Sequence, residues 1–165
     1  MPEVTITYLE MREAGELRPK TCDDPSFEIR ECAPPQWQIN RALYFSVGEA
    51  WSWTDKRGWS DEQWREYVGS GRLRTFVATC DDATAGYYEL HGAPGSEIEI
   101  AYFGLLPPFF GRGFGGALLT SALKEARRMN PSRVWVHTCT LDHPASLRNY
   151  EARGMKVWKI EPGKS

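Results

Sequence analysis

Alternating apolar and polar residues predict a series of β-strands along this chain. The first such segment covers residues 4–9, where apolar side chains alternate with threonine and other polar residues, as in a strand that buries one face. Further strands are predicted over residues 27–31, 73–79, 85–91, 98–105, 133–138 and 156–160. The turn residues Asp81 and Asp82 lie between two of these segments, which are therefore expected to pair as a hairpin.

Helical spacing of apolar residues separates these strands. The first helix is predicted after Pro34 and Pro35, from the apolar residues Trp37, Ile39, Leu43, Tyr44 and Val47. A capping-box pattern that opens at Ser60 predicts a second, short helix through Val68. The clearest helix covers about residues 113–129, with one apolar face and one charged face, and Asn130-Pro131 stops it. A last helix is expected at about residues 145–153.

The order and spacing of these elements predict one α/β domain over residues 1–165, dominated by its sheet, with helices packed on both faces. Seven Trp and seven Tyr residues supply apolar area in a chain with few aliphatic residues. A formal net charge of -2 and the lack of any Lys/Arg-rich block argue against nucleic acid as a partner.

Two further features bear on location and redox state. The N-terminus lacks the basic start and the continuous apolar stretch of a secretory signal, and prolines and glycines interrupt the apolar segment at residues 101–111. We therefore expect a cytoplasmic protein with no membrane partner. The cysteines lie far apart and form no C-x-x-C pattern, so reduced thiols are expected at Cys22, Cys32, Cys80 and Cys139.

A glycine cluster, Phe110-Gly-Arg-Gly-Phe-Gly-Gly116, stands between a predicted strand and the clearest helix. Free backbone N–H groups and the helix dipole at such a position form a cradle for an anion, and phosphate is the natural guest. The cluster also matches G-x-G-x-x-G, the dinucleotide fingerprint. However, the strand leads in through a Pro-Pro bend, no acidic residue ends the following strand, and too little chain remains for a doubly wound half. These features argue against a nicotinamide cofactor.

The segment from Leu105 to Leu119 resembles the acyl-CoA-binding motif of the GCN5-related N-acetyltransferase (GNAT) superfamily, whose pattern is Q/R-x-x-G-x-G/A. Gly113 and Gly115 match its second and third defined positions, whereas Phe110 stands at the first. A polar contact to the pyrophosphate of the cofactor is therefore missing there. We expect Arg112, inside the loop, to supply the compensating charge.

A second segment, from His143 to Met155, resembles the closing helix of the same family, because Tyr150, Gly154 and Met155 match its Tyr-x-x-x-Gly-apolar ending. The similarity covers about residues 72–161. It implies a single domain with a mixed, mostly antiparallel sheet and helices on both faces, the acyl-CoA N-acyltransferase fold, in which residues 35–70 form a helical region on the acceptor side. It further implies acetyl-CoA as co-substrate, an amine acceptor, and a monomer or homodimer.

The resemblance also assigns residues to the cofactor. Backbone N–H groups near Leu105 and Leu106, at the splayed end of a strand, are expected to hold the pantetheine arm and the thioester oxygen. The remaining contacts are assigned to Phe110, Gly111, Arg112, Gly113, Phe114, Gly115, Gly116 and Asn149.

Acyl transfer from a thioester to an amine needs a deprotonated amine and a proton for the departing thiolate. Glu97 and Glu99 lie two residues apart on a predicted strand and share one face, where desolvation and the like-charged neighbour both raise a carboxyl pKa. The resemblance favours Glu99 as the base, with Glu97 as the alternative, and makes Tyr150 the acid. From the residues alone, Glu-x-Glu on a strand is also typical of a solvated face, and a helical Tyr is usually a packing residue.

Four tryptophans crowd residues 51–64, and two interpretations are open: a hydrophobic core, or an aromatic wall of the acceptor site. In the family, the region between the first two helices covers the acceptor, so the resemblance assigns Trp51 and Trp53 to acceptor binding and favours an amine with an apolar or ring-bearing body.

One metal-like cluster consists of His137, Cys139, Asp142 and His143. Alternation along the strand and the following turn scatters these residues, and no further Cys or His completes a recognised spacing, so we predict no metal site. Cys139 as an acyl-carrying nucleophile is a minor alternative to direct transfer.

The motifs and the candidate proton-transfer residues together predict an acetyl-CoA-dependent N-acetyltransferase. A non-catalytic acyl-CoA sensor is the alternative from another functional class.

Overall fold

The computed structural model describes residues 3–51 and 53–163, and in that part of the chain seven strands form one sheet. The strands are Thr5–Met11 (β1), Phe27–Glu31 (β2), Leu73–Cys80 (β3), Ala83–His91 (β4), Ile98–Leu105 (β5), Val134–Cys139 (β6) and Lys156–Pro162 (β7). The α-helices are Trp37–Gly48 (α1), Asp61–Val68 (α2), Phe114–Arg127 (α3) and Ser146–Ala152 (α4). Short 3-10 turns occupy Ala14–Glu16, Glu49–Trp51 and Pro107–Phe109.

The predicted strands and helices are all present, with ends that differ by at most a few residues. Ser60 caps α2 as expected, because its side chain accepts the Gln63 N–H while the Gln63 side chain accepts the Ser60 N–H. Asp81 and Asp82 form the β3–β4 turn with φ values of 50° and 64°, a left-handed conformation that Asp tolerates better than most residues.

The sheet has the order β2-β3-β4-β5-β6-β1-β7, and its neighbours are antiparallel except for the parallel pair β5–β6. This architecture confirms the predicted fold class, a mixed and mostly antiparallel sheet in one domain. The parallel pair is bonded only at its start, where Ile98 faces Val134 and Glu99 faces Trp135. Beyond these residues the two strands separate and leave a wedge between them.

Helices cover both faces of the sheet. On one face, α3 buries Leu118, Leu119 and Leu123 in the main hydrophobic core. On the other face, α1 packs Leu43 and Val47 against Tyr87 of β4 in a second, smaller cluster. Among the described residues, every helix is too short or too polar to cross a membrane. The wedge between β5 and β6 therefore lies between two packed layers.

Candidate functional site

A cavity of about 930 Å³ opens where β5 and β6 separate. One wall is the β5 segment from residue 99 to residue 105, and the opposite wall comes from β6 and α4. The cavity extends from the glycine-rich loop before α3 to the aromatic segment after α1. The cavity therefore connects the glycine-rich loop, which the sequence analysis assigned to the cofactor, with the aromatic segment, which it assigned to the acceptor.

The glycine-rich loop presents the first turn of α3 to this cavity. Gly113 is the N-cap of α3, with φ of 80°, a left-handed conformation that glycine adopts without strain. Gly113 has no side chain with which to cap the helix, and the N–H groups of a first helical turn have no intrahelical partners. Gly115 and Gly116 line the cavity, whereas the Phe114 ring is buried in the core and stacks on Phe27 at 4.3 Å. Phe114 can therefore contribute only its backbone N–H to the anion cradle.

The positive charge beside this cradle comes from residues that sequence analysis missed. Arg153 and Lys20 line the cavity, and a Cβ built at Gly116 would lie 2.8 Å from Arg153 Nη1 and 2.6 Å from Lys20 Cδ. Arg153 Nε and Nη1 are buried without a hydrogen-bond partner among the described residues. A buried donor without a partner is costly, and an anion in the cradle would satisfy it. Arg153 stood within the closing-helix motif, but Lys20 had no sequence signal.

Arg112, to which the sequence assigned the compensating charge, is engaged away from the cavity. Its Nη2 donates to Asp24 Oδ2 at 3.1 Å, its guanidinium lies over the Phe114 ring, and it does not line the cavity. Phe110, at the position of the missing polar residue, lines the cavity and packs against Trp51 and His143. The compensation for Phe110 is therefore expected from Arg153 and not from Arg112.

The two leucines at the end of β5 differ in their free backbone groups. The Leu106 N–H donates to the Ala85 carbonyl at 2.7 Å, so it is not available to a ligand, contrary to the expectation from sequence. Successive N–H groups of a strand point to opposite edges. The Leu105 N–H therefore points into the wedge, and Leu105 lines the cavity.

Helix α4 closes the cofactor end of the cavity. Asn149 Nδ2 donates to the Gly115 carbonyl at 3.1 Å and ties α4 to the first turn of α3. Tyr150 also lines the cavity, and its ring lies 6.0 Å from that of Phe103. Burial, followed by the charge of Asp142, raises the pKa of Tyr150, so its hydroxyl keeps its proton at neutral pH.

The two candidate carboxylates have different surroundings. Glu99 lines the cavity, with 23% of its side chain exposed and His137 Nε2 at 3.9 Å. Burial raises the pKa of Glu99, although the charges of His137, His91 and Lys56 oppose this effect. Glu97 precedes β5, lies outside the cavity and accepts a hydrogen bond from Arg133 Nε at 2.9 Å. Glu97 therefore lies outside the cavity that Glu99 lines, and the pKa of Glu99 is set by burial and by the charges of His137, His91 and Lys56.

The aromatic segment after α1 divides between cavity and core. Trp51 and Trp53 line the cavity, and Trp53 packs against Tyr102 at 5.0 Å. Trp64 is fully buried and belongs to the interior. The core interpretation therefore applies to Trp64, whereas Trp51 and Trp53 are placed at the cavity.

Asp142 and His143 of the metal-like cluster form hydrogen bonds that stabilise the turn after β6. Asp142 Oδ2 accepts hydrogen bonds from Thr138 Oγ1 and from the Cys139 N–H, and His143 Nδ1 accepts the Ala145 N–H. Within residues 3–51 and 53–163, no group of three potential ligands is placed to hold a metal ion. Burial raises the pKa of the Cys139 thiol, which disfavours the thiolate that covalent transfer needs.

Comparisons with known proteins identify related sequences and folds. The acetyltransferase (GNAT) family profile matches residues 30–155. A GCN5-related N-acetyltransferase from Sphaerobacter thermophilus has a similar structure, with a TM-score of 0.74 and 20% identity over 98% of this chain and 51% of that chain. A search of curated proteins gave no match.

Two further solved structures share the fold. An aminoglycoside acetyltransferase from an uncultured soil metagenomic sample matches with a TM-score of 0.65 and 14% identity, over 79% of this chain and 88% of that chain. A tandem GNAT protein of the clavulanic acid biosynthesis pathway matches with a TM-score of 0.61 and 18% identity, over 100% of this chain and 55% of that chain. The present chain thus spans about half the length of the Sphaerobacter and tandem proteins.

Proposed function

This chain belongs to the GNAT acetyltransferase family, and from that premise we propose that it transfers an acetyl group from acetyl-CoA directly to a primary amine. The observation that carries the proposal is a single cavity with an anion cradle at one end and a desolvated carboxylate, Glu99, toward the other. Tyr150, a protonated phenol, lines the same cavity.

The residues at the cradle fit the phosphates of acetyl-CoA. The uncapped first turn of α3 offers N–H groups to a pyrophosphate, and the unpartnered Arg153 guanidinium offers charge-assisted hydrogen bonds. The Leu105 N–H lies on the free edge of β5, where it can donate a hydrogen bond to an amide carbonyl of the pantetheine arm. When bound, acetyl-CoA supplies the activated acetyl group as its thioester.

Glu99 and Tyr150 are the residues that we assign to proton transfer. Glu99 accepts a proton from the acceptor amine, and its raised pKa brings it nearer to the pKa of an effective base at neutral pH. Tyr150 donates its hydroxyl proton to the departing thiolate. Trp51 and Trp53 form an apolar wall that favours an acceptor with a ring-bearing or apolar body.

One assay separates this enzyme from an acyl-CoA sensor. The protein is mixed with acetyl-CoA and a pool of primary amines, and the release of free thiol is followed. Thiol release that requires both protein and amine supports the transferase. Tight binding of CoA without amine-dependent release would instead indicate a binding module.

Replacing Tyr150 with Phe is expected to lower kcat by about tenfold or more, with little change in the affinity for acetyl-CoA, because thiolate departure loses its proton donor. Thioesters whose leaving thiols have a lower pKa should be affected less. Tyr87→Phe is the matched control, since Tyr87 also carries a buried hydroxyl but lies outside the cavity. Equal rates for Tyr150→Phe and the wild type would remove Tyr150 from the mechanism.

Replacing Arg153 with Met is expected to raise the Kd for CoA by about tenfold or more, because a hydrogen bond to a charged group contributes about 1.5–3 kcal/mol. Met keeps an apolar stem without the guanidinium. Calorimetric titration measures the change, and the remaining affinity should depend less on salt. Arg112→Met is the matched control and should have a smaller effect, because Arg112 is held by Asp24. A larger effect at Arg112 would reverse the assignment of the cradle cation.

A further inference from the structure

A lysine of the chain itself lies at the acceptor end of the cavity. The Lys56 side chain is only 13% exposed, and it lines the cavity. Its Nζ lies 4.6 Å from the ring centroid of Trp59, 4.8 Å from that of Tyr67 and 4.7 Å from that of Tyr102. Three aromatic faces around one cation hold it by cation–π attraction. An ordered primary amine is therefore present inside the proposed active site.

Polar contacts connect this amine to an exposed carboxylate. Lys56 Nζ donates to the Tyr102 hydroxyl at 2.9 Å and to Asp55 Oδ2 at 3.2 Å, and the Tyr102 hydroxyl in turn donates to Asp55. Burial opposes ionisation of Asp55, but hydrogen bonds from Tyr102 and Tyr44 and the charge of Lys56 lower its pKa. Because the Asp55 side chain is 60% exposed, a proton that reaches it through Tyr102 can pass to solvent.

The sheet register brings the same amine close to Glu99. Glu99 pairs with His91, and Tyr102 pairs with Glu89, across β4 and β5. Tyr67, one wall of the lysine cage, stacks on His91 with ring centroids 6.2 Å apart. The charge of Lys56 also acts on the Glu99 carboxyl. The caged amine and the candidate base thus line one cavity, near enough for their charges to interact.

We propose that Lys56 is an acceptor in its own right, so that the protein acetylates Lys56 Nζ within its own cavity. This inference rests on the proposed transferase function. It concerns Lys56 and not Lys20, because Lys20 lies beside Gly116 at the end of the cavity proposed to bind the phosphates. Lys124, Lys156 and Lys159 lie outside the cavity.

The proposed step balances in atoms and charge. The Lys56 ammonium loses one proton through the Tyr102 hydroxyl to Asp55 and becomes a neutral amine. Its nitrogen then attacks the thioester carbonyl carbon, the C–N bond forms, and Glu99 accepts the second proton. As the C–S bond breaks, the thiolate takes a proton from Tyr150. Glu99 then returns the proton it accepted to the Tyr150 hydroxyl. The products are the Lys56 amide, free CoA and one proton released to solvent.

The test uses the full chain incubated with acetyl-CoA alone, followed by intact mass measurement and peptide mapping. We expect one acetyl group on Lys56, added about tenfold or more faster than on exposed Lys159, at a rate independent of protein concentration. Tyr102→Phe keeps the caging ring but removes the relay oxygen, and it should slow the modification by about tenfold or more. A tagged Glu99→Gln chain mixed with the wild type should stay unmodified at Lys56.

The outcomes separate this inference from the proposed function. Equal acetylation of Lys56 and Lys159, or modification of the tagged Glu99→Gln chain as fast as the wild type, would overturn acetylation within one chain. A parallel reaction contains the protein, acetyl-CoA and benzylamine, and its release of free thiol measures the transferase activity itself. Thiol release with benzylamine but no acetyl group on Lys56 would overturn the inference alone. If the amine pool causes no thiol release and Lys56 is not acetylated, the proposed function itself is refuted.

Discussion

Replacing Glu99 with Gln is expected to lower kcat/KM for an amine acceptor by about hundredfold or more at neutral pH, the usual effect of losing a general base. Gln keeps the size and hydrogen-bonding reach of the side chain but cannot accept the amine proton. Steady-state rates of thiol release measure the change. Glu97→Gln is the matched control, because Glu97 lies outside the cavity and contacts Arg133. If Glu97→Gln is the damaging change, the base has been assigned to the wrong carboxylate.

The pH profile gives this prediction a second measurement. A base must be ionised to act, so the rate should fall as the pH drops through the pKa of Glu99. Burial raises that pKa, which means that the acid limb should lie at higher pH than for an ordinary Glu, whose pKa is about 4.3. The deficit of Glu99→Gln should shrink as the pH rises and free amine becomes available. A constant deficit at all pH values would contradict the role of a base.

Replacing Gly113 with Val is expected to raise the Kd for CoA by about hundredfold or more. A branched side chain is strained at the φ of 80° that Gly113 adopts, so the loop must move and the first N–H groups of α3 turn away from the cavity. The loss of two charge-assisted hydrogen bonds, each about 1.5–3 kcal/mol, corresponds to that factor. Calorimetric titration with CoA measures it.

Gly71→Val supplies the control for backbone strain. Gly71 has a nearly identical φ of 79°, no atom near the added Cβ, and a position outside the cavity. Both variants should therefore lose similar stability in thermal unfolding, while only Gly113→Val loses affinity for CoA. Full CoA affinity in a folded Gly113→Val protein would remove the loop from phosphate binding.

The strands and helices were predictable because local residues determine where they begin and end. Ser60 and Gln63 form the cap of α2 from within four residues of chain. Asn130-Pro131 ends α3 for a similarly local reason, since proline cannot continue the helix and Asn130 adopts a positive φ of 51°. The glycine-rich loop belongs to the same class, because a helix start exposes its own N–H groups wherever it lies.

The cations and carboxylates of the site were harder to assign from sequence. The resemblance favoured Glu99 and kept Glu97 as the alternative, and the structure distinguishes their surroundings, because Arg133 from the segment before β6 engages Glu97, whereas Glu99 lines the cavity. Similarly, Arg112 is adjacent to the loop in sequence but is held by Asp24, which lies between β1 and β2. In both cases the deciding neighbour comes from a distant part of the chain.

The sequence by itself therefore determined the elements of the fold and the glycine-rich start of α3, since these depend on local backbone chemistry. Only the tertiary structure decided that Arg153 and Lys20 meet at Gly116, that Leu106 is bonded to Ala85, and that Lys56 enters an aromatic cage. The physical reason is that charge pairing and desolvation depend on which side chains from distant parts of the chain pack together. The spacing of residues along the sequence does not reveal those contacts.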